Sequence, residues 1–117
     1  ESMVTASNTI LTGDNMNYIQ TSKQRSFLKH LASNLEPVFQ IGKSGSAPEV
    51  IQALSELFHN RELVKLSVLK NCEDDLQTVA QMVSERTRSE IVQVIGRKIV
   101  LYKPFPDPEK RKISLPK

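Results

Sequence analysis

The chain has 117 residues, the size of one domain, and a domain of this length buries about two-thirds of the surface that its unfolded chain exposes. Its 16 basic and 13 acidic side chains give a net charge of +3, and 25% of the residues are charged, as is ordinary for a globular domain. No apolar run approaches the ~20 residues of a membrane span, and the single cysteine excludes an internal disulfide and a multi-cysteine zinc site. The composition therefore argues against membrane proteins, disulfide scaffolds and zinc enzymes, and it favours a cytoplasmic protein.

The first predicted element is a helix over about 23–32, which a Thr-Ser pair at its start can cap. The preceding residues, 1–20, show no sustained apolar period, and we expect them to be a disordered leader. Arg25 and Lys29 are spaced i,i+4 and are expected to point together away from the buried face of the helix. That face is predicted to consist of Phe27, Leu28 and Leu31.

Strands and helices alternate along the rest of the chain. A strand over 38–41 is followed by a helix over about 48–60, which Ser46 caps, and by a strand over 63–69. Asp74 and Asp75 open the next helix, which ends near Arg86. The last two strands, 89–95 and 98–102, form a hairpin around Gly96. The order α-β-α-β-α-β-β predicts a single α/β domain over 21–103, in which helices pack on a mixed four-stranded sheet. Residues 104–117 are predicted to form a mostly irregular basic tail.

The segment best suited to binding chemistry lies between the first strand and the second helix and consists of Gly42, Lys43, Ser44 and Gly45. Two glycines let a phosphate approach the backbone without interference from a Cβ atom, and the N–H groups at a helix start attract an anion. Lys43 adds a full charge and Ser44 adds a hydrogen-bond donor. GxxG loops that clamp a nucleic-acid backbone use these features. The alternative is an ordinary strand-to-helix turn in which the glycines serve geometry alone.

Other candidate sites are weaker. A nucleotide-binding P-loop is excluded because its first glycine would fall at position 37, which is proline. The basic residues outside the loop could extend a positive surface or only keep the protein soluble; they are Lys23, Arg25, Lys29, Arg97 and Lys98. Tyr102 and Phe105 could stack on a base or belong to the packed interior. His30 and His59 have no nucleophile or carboxylate at a spacing that indicates a catalytic triad.

Several segments together resemble the CRM domain family (chloroplast RNA splicing and ribosome maturation), and in particular its bacterial stand-alone members of the YhbY type. These segments are SKQR (22–25), LKHLA (28–32), PVFQIGKSG (37–45), ELVK (62–65), VQVIGRKIVLY (92–102) and RKISLP (111–116). Each segment is short, but the combination is specific and covers about residues 21–116.

The resemblance implies a fold similar to the C-terminal domain of translation initiation factor three, with the GxxG loop at 42–45 as the RNA contact. Bacterial members associate with precursors of the large ribosomal subunit. We therefore predict a non-catalytic RNA-binding protein that assists large-subunit assembly, without cofactor, metal or small-molecule substrate. Lys23, Arg25, Lys29, Arg97 and Lys98 are predicted to extend the positive surface around the loop. The alternative is a protein-binding module that docks on a ribosomal protein.

Overall fold

The computed structural model describes residues 18–43, 45–72 and 74–116. Its elements are α1 (Ser22–Ser33), β1 (Phe39–Ile41), α2 (Pro48–Leu57), β2 (Leu63–Val68), α3 (Leu76–Thr87), β3 (Glu90–Ile95), β4 (Lys98–Tyr102) and a 3-10 turn (Pro108–Lys110). The predicted order of helices and strands is confirmed, and so is the mixed four-stranded sheet.

The strands lie in the order β1-β2-β4-β3. β1 is parallel to β2, so α2 serves as the crossover that a parallel pair requires. β4 pairs antiparallel with both β2 and β3, and Gly96 turns the β3–β4 hairpin with a φ of 60°. At one end of the sheet the residues in register are Gln40, Ser67, Lys98 and Ile95. We call this the loop end, because β1 leaves the sheet there.

The two central strands, β2 and β4, bury side chains on both faces of the sheet. Their alternating residues Val64, Leu66, Val68, Ile99 and Leu101 join the core formed with α2 and α3. On the opposite face, Leu63, Val100 and Tyr102 pack with Leu28 and Ala32 of α1. The sheet therefore needs a cover on each side, and α1 with the two chain ends forms the second cover.

The helix starts follow local capping chemistry, with one correction. The hydroxyl of Thr21 accepts the N–H of Gln24 at 3.1 Å, and the Asp75 carboxylate caps α3 through the N–H of Thr78. Ser46, however, does not cap α2: the N-cap is Ala47, without a side-chain hydrogen bond, and Pro48 takes the first helical position. α2 also ends at Leu57 rather than near residue 60.

Arg25 does not point away from the core as expected. β3 carries a bulge between Ile91 and Gln93, so that Val92 is an extra residue in the ladder. The Nη1 of Arg25 donates to the carbonyls of Ile91 and Val92 at 2.8 and 2.7 Å, and its Nη2 lies 3.4 Å from the Glu90 carboxylate. The guanidinium thus satisfies backbone acceptors that the bulge exposes.

The N-terminal boundary also needs correction. Ile19 is 9% exposed and packs with the α1-side core, and its N–H donates to Glu90 at 3.0 Å. Tyr18 meets the ring of Tyr102 edge-on, with the ring centroids 6.3 Å apart. Residues 18–20 are therefore part of the packed domain and not of a disordered leader. The remainder of the expected leader, 1–17, lies outside the described residues.

The C-terminal segment is irregular, as expected, but it is fastened to the domain by Glu62. This side chain is 4% exposed. Its carboxylate accepts the N–H groups of Phe105, Lys112 and Ile113 at 3.1, 2.6 and 3.0 Å. Ile113 and Leu115 then pack against the α1-side core. One buried carboxylate therefore converts a basic tail into a structural cover.

We expect Glu62→Ala to lower the free energy of unfolding by about 2–4 kcal/mol, because it leaves buried N–H groups unpaired. Urea denaturation measures the loss. Glu62→Gln is the matched control: its single carbonyl oxygen can still accept the N–H groups of Lys112 and Ile113, so its loss should be smaller. A Glu62→Ala protein within about 0.5 kcal/mol of the parent would show that the tail is not held by this contact.

Candidate nucleic-acid interface

The predicted loop forms a tight turn between β1 and α2, which we call the GKSG turn (residues 42–45). The N–H of Gly45 donates to the carbonyl of Gly42 at 3.1 Å, and Lys43 is exposed. Ser44 lies outside the described residues. α2 begins without a side-chain cap, so the turn delivers the chain to the positive end of an uncapped helix dipole. Pro48 has no N–H and the N–H of Val50 donates to the carbonyl of Ala47 at 3.0 Å, which leaves the N–H of Glu49 as the donor of the first turn.

The two glycines of the turn have different surroundings. A Cβ atom on Gly45 would collide with the carboxylate of Asp74, and Gly45 has a φ of +61°. A Cβ on Gly42 would make only ordinary contacts, 3.9 Å from Leu69 Cδ1 and 4.0 Å from Asn71 Oδ1. Gly45 is therefore required by backbone geometry and by the approach of Asp74. Asp74 therefore approaches the turn at Gly45, whereas the neighbours of a Cβ on Gly42 are Leu69 and Asn71.

The hairpin between β3 and β4 lies at the same end of the sheet. Arg97 donates its Nε to the carbonyl of Val68 and its Nη2 to that of Leu69, each at 2.8 Å. Arg97 therefore ties the hairpin to the segment that follows β2 rather than projecting freely. Lys98 is exposed and belongs to the row of residues in register at the loop end. Of the predicted residues, the structure gathers the GKSG turn, Arg97 and Lys98 at the loop end.

The basic residues of α1 are placed elsewhere. α1 packs on the face of the sheet opposite to α2, where Lys23 and Lys29 are exposed. Arg25 is occupied by the β3 bulge and leaves 38% of its side chain accessible. Burial raises the pKa of its partner, the Glu90 carboxyl, while the N–H of Ile19 and the charge of Arg25 act in the opposite direction. The α1 lysines therefore belong to the cover of the sheet opposite to the one that contains α2.

Sequence reasoning missed a cleft at the other end of α2. It has a volume of about 440 Å³ and its lining includes Phe58, His59, Lys103, Phe105, Asp107 and Lys110. Lys103 lies with its Nζ 5.9 Å from the centre of the Phe58 ring and donates to the carbonyl of Thr87 at 3.0 Å. Burial, with the nearby charge of Arg88, lowers the pKa of Lys103. The sequence signal was present in the alternation of aromatic, basic and proline residues after β4, but the sequence did not show that this segment folds back on α2.

Other kinds of site find little support in the part of the chain that the structure describes. There, no group of three or more His, Cys, Asp or Glu side chains is placed to hold a metal ion. None of the described helices has the length and apolar character needed to cross a bilayer. His30 lies on α1 and His59 follows α2, so the two histidines belong to different covers of the sheet.

Comparison with known proteins places these features in a family. The model of the CRS1 / YhbY (CRM) domain matches residues 21–103. The Probable RNA-binding protein YqeI of Bacillus subtilis (strain 168) is 45% identical over 96 residues, which cover 82% of this chain and 98% of that protein. An RNA-binding protein of Haemophilus influenzae is 33% identical over 97 residues, or 83% of this chain and 95% of the relative.

A solved structure shares the fold. The solution structure of SAV1595 from Staphylococcus aureus, a candidate RNA-binding protein, superposes with a TM-score of 0.70 at 44% identity. The match covers 84% of this chain and 100% of the other.

We expect Gly45→Ala and Gly42→Ala to differ in their effect on the free energy of unfolding. Gly45→Ala should lower the free energy of unfolding by about 1–2 kcal/mol, because a left-handed backbone disfavours Cβ and Asp74 has to move. Gly42→Ala should cost less than about 0.5 kcal/mol, since its Cβ makes only ordinary van der Waals contacts. Urea denaturation of both variants tests this, and equal losses would contradict the described turn.

Proposed function

Because the chain belongs to the CRS1 / YhbY (CRM) domain family, we propose that it is a non-catalytic RNA-binding protein whose main contact is the GKSG turn. Its RNA on this proposal is ribosomal RNA in precursors of the large subunit, and its place of action is the cytoplasm where they assemble. The names of the relatives from Bacillus and Haemophilus support RNA binding. The resemblance of the sequence to stand-alone CRM proteins supports the ribosomal partner.

The observation that carries the proposal is the combination of a tight turn, an exposed lysine and a helix start without a side-chain cap. Lys43 occupies the second position of a four-residue turn and is exposed. The dipole of α2 and the N–H of Glu49 in its first turn attract an anion beside it. A phosphate of the RNA backbone fits this chemistry, with the ammonium of Lys43 and backbone N–H groups as donors.

Among the residues that the structure describes, two carboxylates restrict where the phosphate can lie. Asp74 packs against Gly45, and Glu49 stands in the first turn of α2. Both repel a phosphate, so the RNA backbone is expected to approach from the side of Gly42 and Lys43. Lys98 then extends the positive surface at the loop end, whereas Lys23 and Lys29 form a separate basic face on α1. On this proposal Arg25 and Arg97, whose side chains donate to backbone carbonyls, serve to position the structure.

The kind of recognition follows from the side chains around the turn. No aromatic residue stands in the sequence of the turn itself, so the contact there is with phosphate and backbone shape rather than with base edges. Two exposed apolar residues at the loop end, Leu69 at 39% and Ile95 at 60%, favour a second candidate, which is docking on a protein. The dependence of affinity on salt concentration distinguishes the two. An RNA complex weakens steeply as salt rises, because its formation releases counterions, whereas an apolar protein contact hardly changes.

We expect Lys43→Ala to weaken binding to single-stranded RNA by about 1.5–3 kcal/mol, because one charge-assisted contact is lost. The slope of log affinity against log salt should flatten by about 0.7 for the lost phosphate contact. Asp74→Asn should act in the opposite sense and strengthen binding by about 0.2–1 kcal/mol, since it removes a carboxylate beside the turn. Fluorescence anisotropy at several salt concentrations measures both effects.

Lys112→Ala is the matched control, because Lys112 is an exposed lysine in the C-terminal segment that Glu62 fastens at the opposite end of the sheet. It should leave affinity and slope unchanged, and thermal unfolding confirms that all variants fold. If Lys43→Ala binds RNA with the parent's affinity and slope, the GKSG turn is an ordinary strand-to-helix turn and the proposal is wrong.

A further inference from the structure

We infer that the cleft at the C-terminal end of α2 holds an unpaired nucleotide of the same RNA strand that the GKSG turn contacts. The inference rests on the proposed RNA-binding function and adds a second contact to it. We call this site the basic-aromatic cleft; the side chains that define it are Phe58, His59, Lys103, Phe105, Asp107 and Lys110.

The size and chemistry of the cleft suit a nucleotide. Its volume of about 440 Å³ lies within the range of about 300–1,000 Å³ typical of small-molecule sites. Phe105 is half-buried and offers a ring on which a base can stack, while Phe58 is 4% exposed and forms the floor. Proteins that hold single-stranded nucleic acid combine such rings with cationic side chains.

The charges of the cleft favour a phosphate at its rim. Lys110 and His59 are exposed there, whereas Lys103 is engaged with the carbonyl of Thr87. Asp107 is the opposing carboxylate, and its Oδ1 already accepts the N–H of Glu109 at 3.0 Å. The rim therefore presents the ammonium of Lys110 to solvent, while the carboxylate of Asp107 accepts a backbone N–H.

The wall that carries Phe105 is held in place rather than free to collapse. Its N–H donates to the Glu62 carboxylate at 3.1 Å, and its carbonyl accepts the Nε of Arg111 at 2.6 Å. Both backbone groups of Phe105 are thus fixed while the ring remains partly accessible. A preformed pocket avoids part of the ordering cost of binding.

The position of the cleft connects it to the GKSG turn. α2 starts directly after the turn and ends at Leu57, next to Phe58 and His59. Ten helical residues span about 15 Å, so the two sites lie at opposite ends of one rigid rod. One strand of RNA that follows α2 can reach both, and the two contacts then reinforce each other.

The test measures the affinity of the full chain for oligouridylates of about 4 and about 16 nucleotides, the range of site sizes for single-stranded binding modules. Phe105→Leu removes the ring but keeps an apolar side chain, and we expect it to weaken binding of the long oligomer about five- to 150-fold. Lys110→Ala should also weaken binding of the long oligomer. Phe105→Tyr keeps the ring and Lys112→Ala removes a lysine outside the cleft, so both should bind as the parent does.

Inorganic polyphosphate, a polyanion without bases, separates stacking from charge: Phe105→Leu should leave its binding unchanged, and Lys110→Ala should weaken it. Thermal unfolding midpoints that match that of the Phe105→Tyr control show that the variants are folded. Parent-like binding of the long oligomer by Phe105→Leu and Lys110→Ala, with Lys43→Ala impaired, would overturn the cleft and leave the proposed function intact. Absence of oligouridylate binding by the parent chain would overturn both.

Discussion

The buried carboxylate of Glu62 is the interaction on which the arrangement of the domain depends. β2 and β4 bury apolar side chains on both faces of the sheet, so the sheet needs a cover on each side. α2 and α3 cover one face, but α1 shares the other with the chain ends. Glu62 collects three N–H groups of the C-terminal segment and so holds Ile113 and Leu115 over that face.

The same carboxylate also shapes the surface. By fixing the backbone of Phe105, it places an aromatic ring and the following Lys110 beside the end of α2. The stability of the second cover and the shape of the basic-aromatic cleft therefore share one buried group. Loss of Glu62 is expected to affect folding and the cleft together, whereas the GKSG turn at the other end of α2 depends on Gly45 and Asp74.

Much of the fold could be predicted from the sequence, because its signals are local. The alternation of Val64, Leu66 and Val68 identifies β2 and its face toward α2 and α3, and Gly96 marks the hairpin with its positive φ. The GKSG turn was predicted on the same basis, since its glycines lie between a strand and a helix. The family resemblance agreed with these local signals, and the comparisons confirm it.

What could not be predicted depends on contacts between distant parts of the chain. Arg25 looked like a solvent-facing helix residue. Its guanidinium donates to carbonyls at a bulge in β3, and the sequence of α1 carries no signal of that bulge. Ser46 looked like a cap, but Pro48 fixes the helix start one residue later. The cleft joins residues 58–59 with 103–110, and only the tertiary fold brings them together. Candidate sites made of one segment were therefore accessible to sequence reasoning, and sites made of two were not.

The central claim is that RNA meets this domain at the turn that starts α2. Amide chemical-shift mapping of the isotopically labelled chain during titration with single-stranded RNA tests it most directly, because every non-proline residue reports separately. The account predicts the largest changes at Gly42, Lys43 and Gly45, continuing into the first turn of α2. Changes confined to the exposed face of α1, around Lys23 and Lys29, with the turn unaffected, would contradict it.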